Sequence, residues 1–270
     1  MDVTLDQAGK SLARRPTPRI KPIAALLALY RLMRDPQDTG QVFRLTEALR
    51  GRSTRNSFER FAATPMGQTI LSEQRSLLAA LSDHAGLAAL PEGTLGRRYL
   101  AFMAEENLSA EGLVDIAKQN LKMPPTGDDG ISLYAARMRD MHDLYHVLSG
   151  YGRDELGEIC VLAFSFPQQK IRSFWVISRL GMLNIARRLR SAGISGHGVI
   201  TAVREAARHG AEAAWLPAAD LEAMLQEDLT ALRARLNIKP PASYHAVIER
   251  LTRNSGVKSF TIKDLIDLQP

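Results

Sequence analysis

Two histidines one helical turn apart, His142 and His146, stand in the string MHDLYH with Asp143 beside the first, and Glu158 follows in GRDELGEI. On an α-helix, at about 100° per residue, His146 lies about 40° and Asp143 about 100° from His142, so all three side chains leave one side. Imidazoles at i and i+4 have Cβ atoms about 6 Å apart, and two ring nitrogens can then reach one ion at about 2.0–2.1 Å. Glu158 lies beyond a corner holding Gly150 and Gly152, on what should be an antiparallel neighbouring helix. From there it can return to the same height and offer a carboxylate. The donor set is two nitrogens and one or two oxygens with no thiolate, Asp143 being either a fourth ligand or the group that fixes an imidazole tautomer. A divalent-metal site of that kind commonly keeps a position open for water or substrate, the catalytic pattern. Two histidines at this spacing are equally compatible with one surface residue and one satisfied core residue; the added interval to Glu158 favours the ion.

Helices must position these groups. Helical spacing dominates the chain and alternating β-branched runs are nearly absent, so the fold class is all-α. The helix carrying the histidines should run from Ser132 to about Ser149, with an apolar stripe of Tyr134, Met138, Met141, Tyr145 and Leu148. The adjoining seam, Ala135, Arg139, His142, His146 and Ser149, places the imidazoles at the margin of the core. The next helix should start near Glu155 and be ended near Ser165 by Pro167. Elsewhere the spacing predicts helices over 22–33, 37–49, 64–81, 99–106, a stretch after Ser109, 170–190, 199–209 and 220–236. The segment Met123 to Gly130 reads as the clearest loop. The organisation expected is a loose basic arm over 1–21, one helical domain over 22–238, and a tail with a short helix over 239–270.

Composition limits the rest. With 270 residues, 45% apolar and 24% charged, the chain can bury a large core without staples. The single cysteine, Cys160, excludes an intrachain disulfide and a zinc finger needing paired thiolates; it reads as a small core hydrophobe. The net charge is +6, and the first 60 residues hold 12 Lys/Arg against 6 Asp/Glu while the remainder is balanced at 23 of each. An electrostatic partner is therefore sought at the N-terminal part, with an anionic membrane surface ahead of nucleic acid. The longest apolar run, Ile23 to Tyr30, is far short of the roughly 20 residues that span a bilayer. Neither a signal peptide nor a transmembrane helix is read, and the expected location is cytoplasmic, peripheral on the inner face of the membrane.

The string HDLYHVLSGYGRDELGE resembles the signature of the coenzyme Q (ubiquinone) biosynthesis protein four family: His-Asp, two residues, His, eleven residues, Glu. His142, Asp143, His146 and Glu158 meet that count. The stretch Pro91 to Arg97, Arg139 and the late run LRARLNI also look like the family, so the resemblance covers about 88–238. It implies an all-helical fold that holds a divalent ion, usually zinc, beside an apolar groove for a polyprenyl tail. His142, His146 and Glu158 would be ligands and Asp143 a ligand or close neighbour. Iron or manganese would also suit two histidines and a carboxylate. The implied activity is oxidative decarboxylation, with hydroxylation, at C1 of a polyprenylated 4-hydroxybenzoate-derived ring. Arg139, one turn before His142, is a candidate counter-charge for the substrate carboxylate. The runner-up is a non-catalytic prenyl-lipid scaffold for the other ubiquinone-biosynthesis enzymes. The partners expected are the polyprenylated benzoquinone precursor, those enzymes, an anionic membrane surface and a second copy in a homodimer, with no nucleic acid.

Overall fold

A computed structural model describes residues 19–34, 38–105 and 130–255. Among these there are fourteen α-helices, one short 3-10 turn and no strand, apart from a lone antiparallel bridge between Thr94 and Asp228. The all-α expectation holds. The helix expected after Ser109 and the loop expected from Met123 fall on or beside 106–129, which lies outside the described residues.

The centre of the molecule is α9 (Glu155–Gln169), flanked by α8 (Gly130–Ser149), α10 (Arg172–Ser191) and α11 (His197–Glu212). Its ICVLAF run is apolar on more than one face because it is surrounded: Cys160, Val161 and Phe164 are buried in the main core, while Leu162 faces a second cluster. Burial pushes the Cys160 thiol well above its usual range, which leaves it inert. Small residues let α11 close on α9. Ala202 and Ala206 are buried, and a Cβ on Gly210 would stand 2.1 Å from the Phe164 carbonyl oxygen. The second cluster is built by a hairpin of α1 (Pro22–Arg34) and α2 (Thr39–Leu49), whose Ala25, Ala28, Leu32, Leu45 and Ala48 meet Leu162 and Ile177.

The remaining helices close the main core on its other sides. These are α3 (Ser53–Ala62), α4 (Pro65–Ser72), α5 (Leu77–Ser82), α6 (His84–Ala89), α7 (Leu95–Glu105), α12 (Leu221–Met224), α13 (Leu229–Arg235) and α14 (Ala242–Ser255). Three expectations from spacing fail for identifiable reasons. The helix predicted over 64–81 is broken, because Gln74 takes φ 51° and Ser76 caps a new start by accepting from the Ala79 N–H. The leucine stripe of 220–236 is likewise two helices, not one. The Leu225 and Glu227 carbonyls turn away to accept from the Gly96 and Leu95 N–H groups, and Asp228 caps the restart. Pro167 does not end α9. It removes one backbone bond, and the last turn survives because Gln168 donates to the Gly210 carbonyl and accepts from the Leu216 N–H.

The C-terminal helix is also more than a tail. Tyr244, Val247 and Leu251 of α14 are buried in the main core against α11.

Candidate metal centre

The positions of the two histidines follow from how α8 is buried. Tyr134, Met138, Met141, Tyr145 and Leu148 are all in the core, as the stripe requires, and Arg137, which the stripe does not include, is buried too. Its guanidinium forms a two-pronged pair with the Glu222 carboxylate and donates to the Ala219 carbonyl. At the far end of α8, Arg233 donates to the Val147 and Leu148 carbonyls, satisfying acceptors the helix end leaves over. The seam bearing His142 and His146 is thereby held from both sides.

A tight corner returns the chain. Gly150 has φ 80°, in the left-handed region where a side chain would be strained. Asp154 then caps α9, accepting from the N–H groups of Leu156 and Gly157 at 3.0 Å each. Tyr244 donates to the other oxygen of Asp154 and accepts from the Gly152 N–H at 3.1 Å, so α14 clasps the corner to the cap. Gly157 completes the turn. A Cβ there would lie 2.0 Å from the Gly152 carbonyl oxygen, so only glycine lets the first turn of α9 lie this close to the corner.

Glu158, one residue on, thereby faces the histidines. One of its carboxylate oxygens is 3.4 Å from His142 Nε2 and 3.6 Å from His146 Nε2, and the two Nε2 atoms are 3.4 Å apart. Candidate ligand atoms of the three residues all lie within 4.8 Å of one another, and no other such group of His, Cys, Asp or Glu forms among the described residues. Asp143 does not join them. It is buried, and its negative charge acts on His142 from outside the group.

The neighbours set each ligand's state. His146 Nδ1 lies 3.0 Å from the Tyr151 carbonyl oxygen; a carbonyl only accepts, so Nδ1 carries the proton and Nε2 presents its lone pair to the centre. The Phe102 ring of α7 stacks on the same imidazole, 5.5 Å between centroids. Arg153 holds the outer Glu158 oxygen at 3.3 Å, leaving the inner one for the histidines. Burial opposes charge on Glu158, but His146 and His142 outweigh it, and its carboxyl is held well below the usual carboxylate range. Burial likewise acts to lower His142, yet Glu158 and Asp143 prevail and raise it above its usual value. An oriented imidazole, a second imidazole and an ionised carboxylate with its outer oxygen tied fit a divalent ion with borderline-soft to hard preferences.

The cluster meets, through His142, a cavity of about 720 Å³ between α1, α2, α3, α8, α9 and α10. Its wall is mostly apolar, with Val42, Met138, Tyr145, Leu162 and Phe174, and His142 is the member of the triad that reaches it. Arg139 also lines it, and its guanidinium is paired with Asp140 at 2.7 Å.

The family description "Coenzyme Q (ubiquinone) biosynthesis protein Coq4" matches residues 19–242, most of the chain. The chain belongs to the Coq4 family. The match begins just ahead of α1 and so extends well upstream of the stretch whose motifs announce the family. A mitochondrial COQ4 homologue of Danio rerio is 30% identical over 203 residues, covering 74% of this chain and 69% of that protein. The Rattus norvegicus homologue is 29% identical over 185 residues, covering 67% of this chain and 63% of that protein. A solved Nostoc punctiforme structure described as a ubiquinone biosynthesis protein has TM-score 0.61 at 22% identity, over 82% of this chain and all of that one, and shows the same fold. Among the described residues no helix is long and apolar enough to cross a membrane.

Of the residues expected to act, the structure brings His142, His146 and Glu158 together, places Arg139 on the cavity wall, and leaves Asp143 at one remove. Sequence reasoning missed the Tyr151 carbonyl, Phe102, Arg153, Gly157 and Tyr244. Gly157 carried a signal, a glycine in a first helical turn directly before a proposed ligand. The Tyr151 contact is made by backbone and has none.

Proposed function

We propose that this Coq4 family member acts in ubiquinone biosynthesis by taking a polyprenylated, 4-hydroxybenzoate-derived acid into the cavity beside α8 and replacing the ring carboxylate at C1 by a hydroxyl in an oxygen-dependent step. Dioxygen gives one atom to C1, the carboxylate leaves as carbon dioxide, and the second oxygen atom leaves as water on two electrons and two protons from the resulting hydroquinone. The reading is supported by one observation above the others: His142 belongs both to the three-donor cluster and to the wall of an apolar cavity. A ring at that wall has its reacting carbon beside the donors and its tail among Met138, Leu162 and Phe174. A divalent ion held by His142, His146 and Glu158 would supply Lewis acidity to a substrate oxygen. The chain's own groups do the positioning. The Tyr151 carbonyl fixes the tautomer of His146, Arg153 fixes the Glu158 carboxylate, and Arg139 offers a cation to the substrate carboxylate from the cavity wall. The apolar wall keeps water from the ring, which strengthens every charge interaction there.

The test uses the full chain loaded in turn with zinc, iron(II) and manganese(II), and follows release of labelled carbon dioxide from a carboxyl-labelled, short-prenyl substrate. His146→Ala and Glu158→Gln should each lower turnover on the order of 100-fold or more while the helical circular dichroism is kept. Full activity in both variants, or none in the wild type with any of the metals, would refute the enzyme reading and leave the lipid-binding scaffold.

A further inference from the structure

The outer face of α1 is apolar and uncovered. Ile23, Leu26 and Tyr30 are 85%, 68% and 51% exposed, and Leu27 is 47% exposed. On a helix starting at Pro22 these four fall within about 100° of arc, opposite Ala25, Ala28 and Leu32, which pack into the fold. So many adjoining large apolar side chains in water mark a face made for another surface. Its charge says which. Residues 19–34 hold Arg19, Lys21, Arg31 and Arg34 and not one acidic residue. Arg34 stands over the Tyr30 ring, 4.8 Å from its centroid, an arrangement suited to the boundary between headgroups and acyl chains. The start of α10 adjoins the start of α1, since Arg172 and Ile20 both crowd Gly51, and half-exposed Trp175 follows one turn later.

We infer that α1 docks on the surface of an anionic lipid bilayer, with Ile23, Leu26 and Tyr30 entering the interface, Leu27 at the edge it shares with the cavity, and Arg19 and Arg34 facing the headgroups. An apolar face flanked by cations and free of acids is the composition that lies in such an interface. A second copy of the chain is a poorer occupant, because it would bring the same uncompensated positive charge face to face. The adjoining side of α1 contributes Ala24 and Ala28 to the cavity wall, where Leu27, Lys21 and Arg31 also stand, so the docking face and the cavity share an edge. Docking therefore lays the wall of the lipid-sized cavity against the membrane, where an apolar-tailed molecule can pass between them without crossing water. The docking does not depend on the reaction proposed at the triad, and its test contains no turnover.

The full chain is sedimented with phosphatidylcholine vesicles and with vesicles carrying about 30% phosphatidylglycerol. Binding to the anionic vesicles should be at least about tenfold stronger and should fall as salt is raised from about 0.1 to 0.5 M. Arg34→Gln should weaken it about fivefold, and Ile23→Ser with Leu26→Ser at least about tenfold. All three positions are exposed and none lines the cavity, so the melting temperature should be unchanged. Wild-type indifference to anionic vesicles would overturn the inference. So would undiminished binding by the double variant, or a wild-type dimer in size-exclusion light scattering that the double variant converts to monomer.

Discussion

Gly157→Ala isolates the contribution of backbone proximity to the donor cluster, because it leaves all three donors chemically intact. The added methyl would stand 2.0 Å from the Gly152 carbonyl oxygen and 2.7 Å from its carbon, and real Cβ atoms essentially never come within 3.0 Å of such a neighbour. The first turn of α9 and the corner must then separate by at least about 1 Å, and both are backbone, so no side chain can swing away. Asp154 caps the helix through the Gly157 N–H itself, so the cap is disturbed together with the contact. Overpacking of this kind costs about 1–3 kcal/mol. Metal bonds tolerate errors of only about 0.2 Å, so moving Glu158 by several times that distance from the imidazoles should lower zinc affinity about 10- to 100-fold. The assay is competition against a chromophoric chelator at constant pH, with the thermal midpoint measured in parallel without metal. Gly193→Ala is the control. Gly193 has φ 71° and open space around its would-be Cβ, so alanine there strains the backbone by about 1–2 kcal/mol away from the cluster. Wild-type zinc affinity in Gly157→Ala, or an equal loss in Gly193→Ala, would refute the claim that the close approach of corner and helix sets the ligand geometry.

Arg137→Met strips a buried cation from the Glu222 carboxylate and should destabilise the fold by about 3–5 kcal/mol, read as a fall in the denaturant midpoint; a shift under about 1 kcal/mol would contradict the pairing. The metal-free protein should also carry a pH signature. Glu158 is depressed in the fold, so its contribution is present above the ordinary carboxylate value and lost as pH falls through its folded one. His142 is raised, so its contribution is complete below about 6.5 and lost as pH climbs through its folded value. The thermal midpoint difference between wild type and Glu158→Gln should therefore be largest between about pH 4.5 and 6.5 and shrink on both sides; a flat difference from pH 4 to 9 would exclude the charge coupling.

What could be read from the sequence was what depends on one helix at a time. The α8 stripe and the seam beside it follow from residue spacing, and the return of Glu158 follows from a glycine corner of fixed length. Readings failed where a distant partner decided the local structure. No periodicity in 220–236 reveals that the Leu225 and Glu227 carbonyls are claimed by the Pro91–Gly96 turn, and nothing near Pro167 announces that Gln168 is held by Gly210 and Leu216. Arg137 lies outside the apolar stripe, and nothing near it in the chain reveals that it is buried against Glu222, 85 positions away. Helical angle and the motif both group Asp143 with its neighbours; in the fold the inner Glu158 oxygen comes within 3.6 Å of both imidazoles, and Asp143 stays outside the donor group.

Tyr244 lies two residues beyond the stretch matched to the Coq4 family, 19–242, yet its hydroxyl joins Asp154 to the Gly152 amide. A fragment trimmed to the family boundary would keep every donor atom and still lose the clasp that sets the pitch of the helix carrying one of them. The minimal unit that sets the donor geometry is thus longer than the minimal unit that displays the signature, and truncation studies guided by homology alone would mistake a loosened hinge for a missing donor.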